Sequence, residues 1–312
     1  MRVDSWALTD VGRARKHNED GWLIDDQLGL YAVADGMGGH AAGEVASAYG
    51  LRCVQEQLVK KKALLEDFSK NPTPEKRSQI LREVELAINV ASSAIYHMAQ
   101  RDKKRHGMGT TLSMVLLVGN KAFMAHVGDS RIYLARAQQI HQLSEDHSYL
   151  WEQIKKGAIT VEEAKRSPFS NVITRAVGIT ETVQVDTLVF DILPGDTYLA
   201  CSDGLHGYIE SEAELAQILS GDDGEEIPRR LIGLANARGS LVGYNSFLDG
   251  NLDGEGPEVD RELAVGELQL GLVAGHGPWT LAWILQARTS EFEGSDGGHR
   301  IGALVFGYSA QL

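Results

Sequence analysis

An aspartate at the end of a short apolar run is the feature of this sequence that most restricts its fold. It recurs at Asp35, Asp129 and Asp203, and each time a glycine or serine follows at once. A small residue there lets the backbone turn sharply and approach a ligand. A single Asp-Gly is usually an ordinary turn. Three such sites, with the acidic pair Glu19-Asp20 that we place after another strand, predict strands that converge on one acidic site.

The chemistry of this acidic cluster points to a divalent cation. Carboxylates brought together repel one another, and their pKa values rise unless a cation neutralises them. Several oxygen ligands without a set of histidines and cysteines favour Mg²⁺ or Mn²⁺ over zinc. The net charge of −13 argues against a nucleic-acid partner, since phosphates repel an acidic surface.

The first 238 residues alternate between short apolar strands and amphipathic helices. Apolar residues recur every three or four positions over 74–101, which predicts a long helix with one buried face. Short connections over 110–143 predict an antiparallel meander, because parallel strands need a longer crossover. We also expect strands at 29–34 and 197–201, helices at 41–60 and within 210–238, and a short helical, polar excursion over 148–170.

Composition disfavours several classes of protein. No apolar run approaches the ~20 residues of a membrane span, and the first residues do not form a charged-then-apolar signal peptide. We therefore expect a cytoplasmic protein without a membrane partner. Cys53 and Cys201 form no CxxC pair, so we expect two buried thiols. The glycine-rich loop at 36–43 lacks the Gly-Lys-Ser/Thr ending of a nucleotide-binding loop.

Seven segments, in order over residues 1–238, resemble the metal-dependent Ser/Thr protein phosphatases, the PPM or protein phosphatase 2C-like family, in their short bacterial form. The resemblance implies a four-layer α/β (α+β) sandwich, in which two antiparallel sheets pack together and helix pairs cover both outer faces. The segments are Arg15-Lys16-His17-Asn18-Glu19-Asp20, Ala34-Asp35-Gly36-Met37-Gly38-Gly39-His40, Gly109-Thr110-Thr111, Val127-Gly128-Asp129-Ser130-Arg131, Asp146-His147-Ser148, Ile173-Thr174-Arg175-Ala176-Val177-Gly178 and Ser202-Asp203-Gly204.

The resemblance also implies a role for each matching residue. Asp35 would bridge two metal ions, Mn²⁺ or Mg²⁺, with the Gly36 carbonyl as a further ligand. Asp129 would assist a third, weaker site, and residues 148–170 correspond to the family's variable flap beside the active site. The other implied residues are Glu19 and Asp20 for one metal, Asp203 for the other, and Arg15 for the substrate phosphate.

The implied activity is hydrolysis of phosphoserine and phosphothreonine in proteins by a metal-activated water, with no phospho-enzyme. His40 is a candidate general acid, since histidine titrates near neutrality, and it suits equally well a structural role in the turn at Gly38-Gly39. We expect His126 and His147 to be structural. The implied partners are phosphorylated proteins and a cognate Ser/Thr kinase, and we expect a monomer.

The sequence departs from the family after residue 238. The family continues with a glycine-rich turn, an Asp-Asn pair that supplies a metal ligand, and a closing apolar strand, but 240–245 contain no Asp-Asn. Residues 239–312 also hold 14 of the 34 glycines and no lysine. We therefore divide the chain into a phosphatase domain at 1–238, lacking its final strand, and an atypical tail at 239–312.

Three explanations of the tail are open. It could derive from a shifted reading frame, or it could be an extension in which Asp249 or Asp253 replaces the missing ligand. Alternatively, the protein could be a metal-impaired pseudophosphatase that binds phosphoproteins without hydrolysing them. The stretch from Asp249 to Asp260 also matches the opening of a calcium-binding loop. A flexible acidic loop explains that stretch better, because Gly256 replaces the usual apolar eighth residue.

Overall fold

A computed structural model of the chain describes residues 3–10, 17–38, 42–164, 167–169, 172–209, 211–220, 226–239, 267–276, 279–288 and 302–308. The strands are β1 (Val3–Thr9), β2 (Asp20–Asp25), β3 (Leu30–Met37), β4 (Gly109–Thr110), β5 (Leu112–Val118), β6 (Lys121–Val127), β7 (Arg131–Arg136), β8 (Gln139–Gln142), β9 (Asp186–Asp191), β10 (Thr197–Cys201), β11 (Glu267–His276), β12 (Trp279–Arg288) and β13 (Gly302–Tyr308). The helices are α1 (Ala42–Val59), α2 (Lys62–Lys70), α3 (Pro74–Arg101), α4 (Tyr149–Lys155), α5 (Val161–Ala164), α6 (Asp203–His206), α7 (Glu212–Leu219) and α8 (Glu226–Gly239).

Two antiparallel sheets form the centre of the fold. The first has the strand order β1-β13-β10-β7-β8, and the second has the order β2-β3-β5-β6-β9 with β4 paired to β3. The predicted meander over 110–143 is divided between them, because β5 and β6 pair in the second sheet whereas β7 and β8 pair in the first. The chain therefore crosses from one sheet to the other between β6 and β7, at Asp129.

Alternation of side chains along β3 explains why this strand is apolar throughout. Tyr31 and Val33 pack between the two sheets, whereas Leu30 and Ala32 face the helices. Successive side chains of a strand point to opposite faces, so a strand covered on both sides needs apolar residues at every position.

Helices cover both outer faces, which confirms the predicted four layers. The apolar side chains of α1 and α3 pack on the second sheet, and those of α7 and α8 pack on the first. The predicted limits of α3 are matched because Thr73 caps the helix by accepting from the Lys76 amide at 3.4 Å, directly before Pro74. Both cysteines are buried free thiols, as expected. Within the described part of the chain, no helix is long and apolar enough to cross a membrane.

One expectation about the strands is wrong. The pair Glu19-Asp20 does not follow a strand, because Asp20 is the first residue of β2. A strand from the tail also joins the first sheet. Strand β13 lies between β1 and β10 and pairs with both, so the last strand of the chain is an interior strand of this sheet. Strands β11 and β12 pair with each other.

We predict that deleting residues 289–312 destabilises the whole phosphatase fold, because β1 and β10 lose the partner they share. An interior strand contributes backbone hydrogen bonds along both of its edges, and a loss of ~4 kcal/mol lowers the melting temperature of a domain this size by about 10 °C. Thermal unfolding followed by circular dichroism measures the change. Replacing 267–288 by a flexible linker is the matched control, and equal melting temperatures for the full and truncated chains would contradict the prediction.

Candidate metal centre

The acidic residues meet at one end of the two sheets. Asp20 at the start of β2 lies directly opposite Asp35 near the end of β3 in the antiparallel register. Asp203 follows β10 of the other sheet, and the neighbouring Ser202 hydroxyl donates to Asp20 Oδ2 at 2.9 Å. This hydrogen bond joins the acidic ends of the two sheets.

A cavity of about 830 Å³ opens at this end, and five of the predicted metal ligands line it. They are Glu19, Asp20, Asp35, Asp129 and Asp203. The structure therefore brings these five residues from separate segments to one cavity, and their roles as ligands stay predictions. The roles assigned to Arg15 and His40 stay predictions, because both residues lie outside the described part of the chain, as do Asp249 and Asp253.

Three backbone hydrogen bonds fix the end of β3 that carries Asp35. The Asp35 amide donates to Thr111 Oγ1 at 2.8 Å. The Thr111 amide and the Thr110 hydroxyl donate to the Asp35 carbonyl at 2.8 and 2.9 Å. Thr111 Oγ1 also lies 2.7 Å from Ser130 Oγ, beside Asp129. The Gly-Thr-Thr segment thus connects the two loops that present Asp35 and Asp129.

Two glycines allow the end of β3 to lie directly on the first turn of α1. A Cβ atom on Gly36 would collide with the Gly43 carbonyl oxygen. A Cβ atom on Gly43 would lie 2.6 Å from Glu19 Oε1. The Gly36 amide donates to the Glu19 carbonyl at 3.1 Å, and the Ser47 hydroxyl donates to the same carbonyl at 2.6 Å. Gly36 therefore supports the backbone of Glu19, and its role as a ligand through its carbonyl stays a prediction.

The electrostatics of the cavity suit a bound cation. Burial, followed by the negative charges of Asp203 and Asp146, raises the pKa of Asp129 to about 7. A divalent cation would relieve this repulsion, and carboxylate oxygens are the ligands that Mg²⁺ and Mn²⁺ prefer. Among the described residues, no three acidic, histidine or cysteine side chains yet converge on one point. The chemistry of the carboxylate donors, rather than their present spacing, therefore fits a divalent cation.

Asp146 is a cavity residue to which we assigned no role from the sequence. Its two carboxylate oxygens accept from Arg131 Nε at 2.9 Å and from the second guanidinium nitrogen at 2.7 Å. Arg131 also donates to the Tyr133 hydroxyl at 3.2 Å, and His206 Nε2 donates to the Asp129 carbonyl at 3.0 Å. Arg131 and Asp146 both belong to the seven matching segments, so the sequence marks them as candidate site residues. Their ion pair is visible only in the structure.

The two buried histidines have structural partners, as expected. His126 Nε2 donates to the Glu145 carbonyl at 3.0 Å, and its Nδ1 accepts from the Ser113 hydroxyl at 2.8 Å. Burial lowers the pKa of His126 to about 4, so it is neutral near pH 7. His147 Nδ1 accepts from the Gly128 amide at 3.0 Å. Both rings brace the loops on either side of Asp129 and Asp146.

Comparison with known proteins assigns the family. Residues 13–221 match the family model described as protein phosphatase 2C, and the match covers more than half of the chain. Residues 220–310 match a second model, described as outer membrane protein LpxR. The change from one match to the other falls close to the change in composition near residue 238.

Individual relatives agree with the first match. The serine/threonine phosphatase stp of Listeria monocytogenes is 38% identical over 214 residues, which are 68% of this chain and 81% of that protein. The serine/threonine phosphatase of S. agalactiae has a similar structure, with a TM-score of 0.70, 28% identity and coverage of 99% and 100% of the two chains. The catalytic domain of the phosphatase PstP, solved with two manganese ions, has a TM-score of 0.66, 26% identity and coverage of 99% of each chain.

The chain belongs to the protein phosphatase 2C family. Its class is that of a metal-dependent protein serine/threonine phosphatase, and both the expected family and the expected enzyme class are confirmed.

We predict that Gly43→Ala weakens Mn²⁺ binding, because the added methyl group displaces the Glu19 carboxylate or separates α1 from β3. We expect at least a tenfold loss of affinity, as for changes that misplace a metal ligand. Isothermal titration calorimetry with Mn²⁺ measures it. Gly50→Ala is the matched control on the same helix, because its Cβ atom would meet its nearest neighbours at 3.4 and 3.6 Å. Equal affinities for the two variants would contradict the prediction.

Proposed function

We propose that the cavity carboxylates hold two catalytic metal ions and that Asp129 assists a third, weaker site. In this assignment Asp35 would hold both ions, and the other ligands would be Glu19 and Asp20 for one ion, Asp203 for the second, and the Gly36 carbonyl. The observation that carries the proposal is the convergence of five carboxylates, from both sheets, on one cavity. The two manganese ions in the PstP structure support the assumption of two ions.

Mn²⁺ or Mg²⁺ held by these residues would act as a Lewis acid and lower the pKa of a bound water. The contribution of the protein is to keep the carboxylates in place. Ser202 holds Asp20, and Thr111 holds the backbone of Asp35. Preorganised groups of this kind need little rearrangement during the reaction.

The Arg131 guanidinium is already hydrogen-bonded within the cavity wall and is therefore a poor candidate for binding the substrate phosphate. Its guanidinium already donates to both oxygens of Asp146 and to the Tyr133 hydroxyl. We therefore keep Arg15 as the phosphate-binding residue, since a planar guanidinium donates two parallel hydrogen bonds. His40 remains the proposed general acid for the leaving serine or threonine oxygen.

We further propose that the physiological substrates are phosphoproteins made by a cognate Ser/Thr kinase, that the enzyme acts in the cytoplasm in signalling, and that it is a monomer. The names of the relatives support the substrate class. The alternative of a pseudophosphatase gains no support, because the relatives named above are phosphatases.

We propose a division of the chain near residue 238, refined by the position of β13. The two family matches support two segments of different origin. The pairing of β13 with β1 and β10 supports counting the end of the tail with the phosphatase fold. The ligand that replaces the missing aspartate would then have to come from a loop other than 240–245.

We predict that Asp35→Ala lowers Mn²⁺-dependent hydrolysis of p-nitrophenyl phosphate by at least about a hundredfold, because the variant loses the ligand shared by both ions. Asp191→Ala is the control, because Asp191 forms an exposed ion pair with Lys121 at the far end of β6 and such pairs contribute little. The control should stay within about twofold of the wild type. Metal-dependent turnover by Asp35→Ala at the wild-type rate would exclude the assigned site.

A further inference from the structure

The cavity that contains the carboxylates also has an apolar wall, which the hydrolysis of phosphate does not require. This wall is formed by α4, α5 and the residues after α6, and it is part of the same cavity as Asp129 and Asp203. We define the apolar wall as Leu150, Trp151, Ile154, Val161, Tyr208 and Ile209.

Hydrogen bonds hold one side of this wall close to the acidic residues. Ser148, two positions after Asp146, caps α4 by accepting from the Trp151 amide at 3.2 Å. The Tyr149 amide donates to the Val172 carbonyl at 2.8 Å. The start of α4 is thereby tied both to the site and to the segment that follows the flap.

The other side of the wall is supported by the core. Tyr208 and Ile209 pack against the apolar cluster beneath α7 and α8. Burial and then the charge of Asp203 raise the pKa of the Tyr208 hydroxyl, so this side of the wall is uncharged near pH 7. The two sides therefore form an apolar surface beside an acidic floor.

The side chain of Trp151 carries one polar atom, the indole nitrogen. Its indole Nε1 is buried and makes no hydrogen bond within the described part of the chain. Buried donors are nearly always satisfied, and leaving one unpaired is unfavourable. An acceptor on a bound ligand would satisfy it, and a peptide carbonyl is the acceptor that a protein substrate brings to every site.

We propose that the apolar wall binds an apolar side chain next to the phosphorylated residue of the substrate, and that Trp151 Nε1 donates to a backbone carbonyl of the same peptide. This inference rests on the proposed function, because the phosphate held at the acidic end brings the flanking residues against the wall. An acidic flanking side chain placed against this wall would lose its water without gaining a partner, which is unfavourable. The enzyme should therefore prefer apolar over acidic neighbours of phosphothreonine.

Two phosphothreonine peptides that differ only in a flanking leucine or glutamate test the proposal. For the wild type we expect kcat/KM to be at least about tenfold higher for the leucine peptide, the discrimination that an apolar pocket typically provides. Trp151→Ala should bring the ratio close to one. Trp151→Phe should keep the preference for leucine but raise KM for both peptides, because the ring remains and the N–H group is lost.

Phe169→Ala is the matched control. Phe169 lies in the same flap, is 53% exposed and contacts Tyr149 with ring centroids 5.9 Å apart, but it is not part of the apolar wall. Its leucine-to-glutamate ratio should equal that of the wild type. Melting temperatures of all variants identify any loss of folding, and Trp151→Phe provides the test if Trp151→Ala does not fold.

The two levels of the proposal fail in different ways. If the wild type does not hydrolyse p-nitrophenyl phosphate with Mn²⁺, the proposed function fails, and fluorescence anisotropy with labelled peptides still measures whether the wall discriminates between them. If the wild type hydrolyses p-nitrophenyl phosphate but shows equal kcat/KM for both peptides, the substrate preference is wrong. An unchanged leucine-to-glutamate ratio in Trp151→Ala would likewise overturn the role of the apolar wall.

Discussion

Mutual repulsion among the carboxylates at the end of the two sheets governs the rest of this structure. Asp129, Asp146 and Asp203 are close enough for the charges of the last two to help raise the pKa of the first to about 7. Burying such a group is unfavourable unless it is paired. Apolar packing between the sheets, around residues such as Tyr31 and Tyr198, stabilises the fold and holds the strand ends in place. This stabilisation offsets the unfavourable electrostatic free energy of the carboxylates. A divalent cation turns the repulsion into binding energy, which links the packing of the core to the function of the site.

Local features of the sequence were sufficient for much of the fold and for the location of the site. A strand-end aspartate followed by a small residue is visible in the sequence because the pattern is contiguous. The same holds for α3, whose apolar period and Thr73-Pro74 start define its limits. Predictions of this kind succeed where the determining residues lie within a few positions of each other.

The missed features depend on contacts between distant segments. The sequence of 110–143 predicts hairpins but not that the chain changes sheet at Asp129, because the turn before β7 resembles any other tight turn. The ion pair of Arg131 and Asp146 joins the first residue of β7 to the loop after β8. The position of β13 between β1 and β10 is the clearest case, since it lies more than 60 residues beyond the expected place. For Glu19-Asp20 the sequence predicts an acidic pair after a strand, whereas in the structure Asp20 begins β2.

The most direct test of the metal centre is the number of Mn²⁺ ions that the full chain binds, measured by isothermal titration calorimetry together with metal analysis of the dialysed protein. The account predicts two ions of higher affinity, with a weaker third at high concentration, and loss of the tight binding when Asp35 and Asp203 are both replaced by asparagine. Unchanged binding in that double variant, or no binding by the wild type, would contradict it.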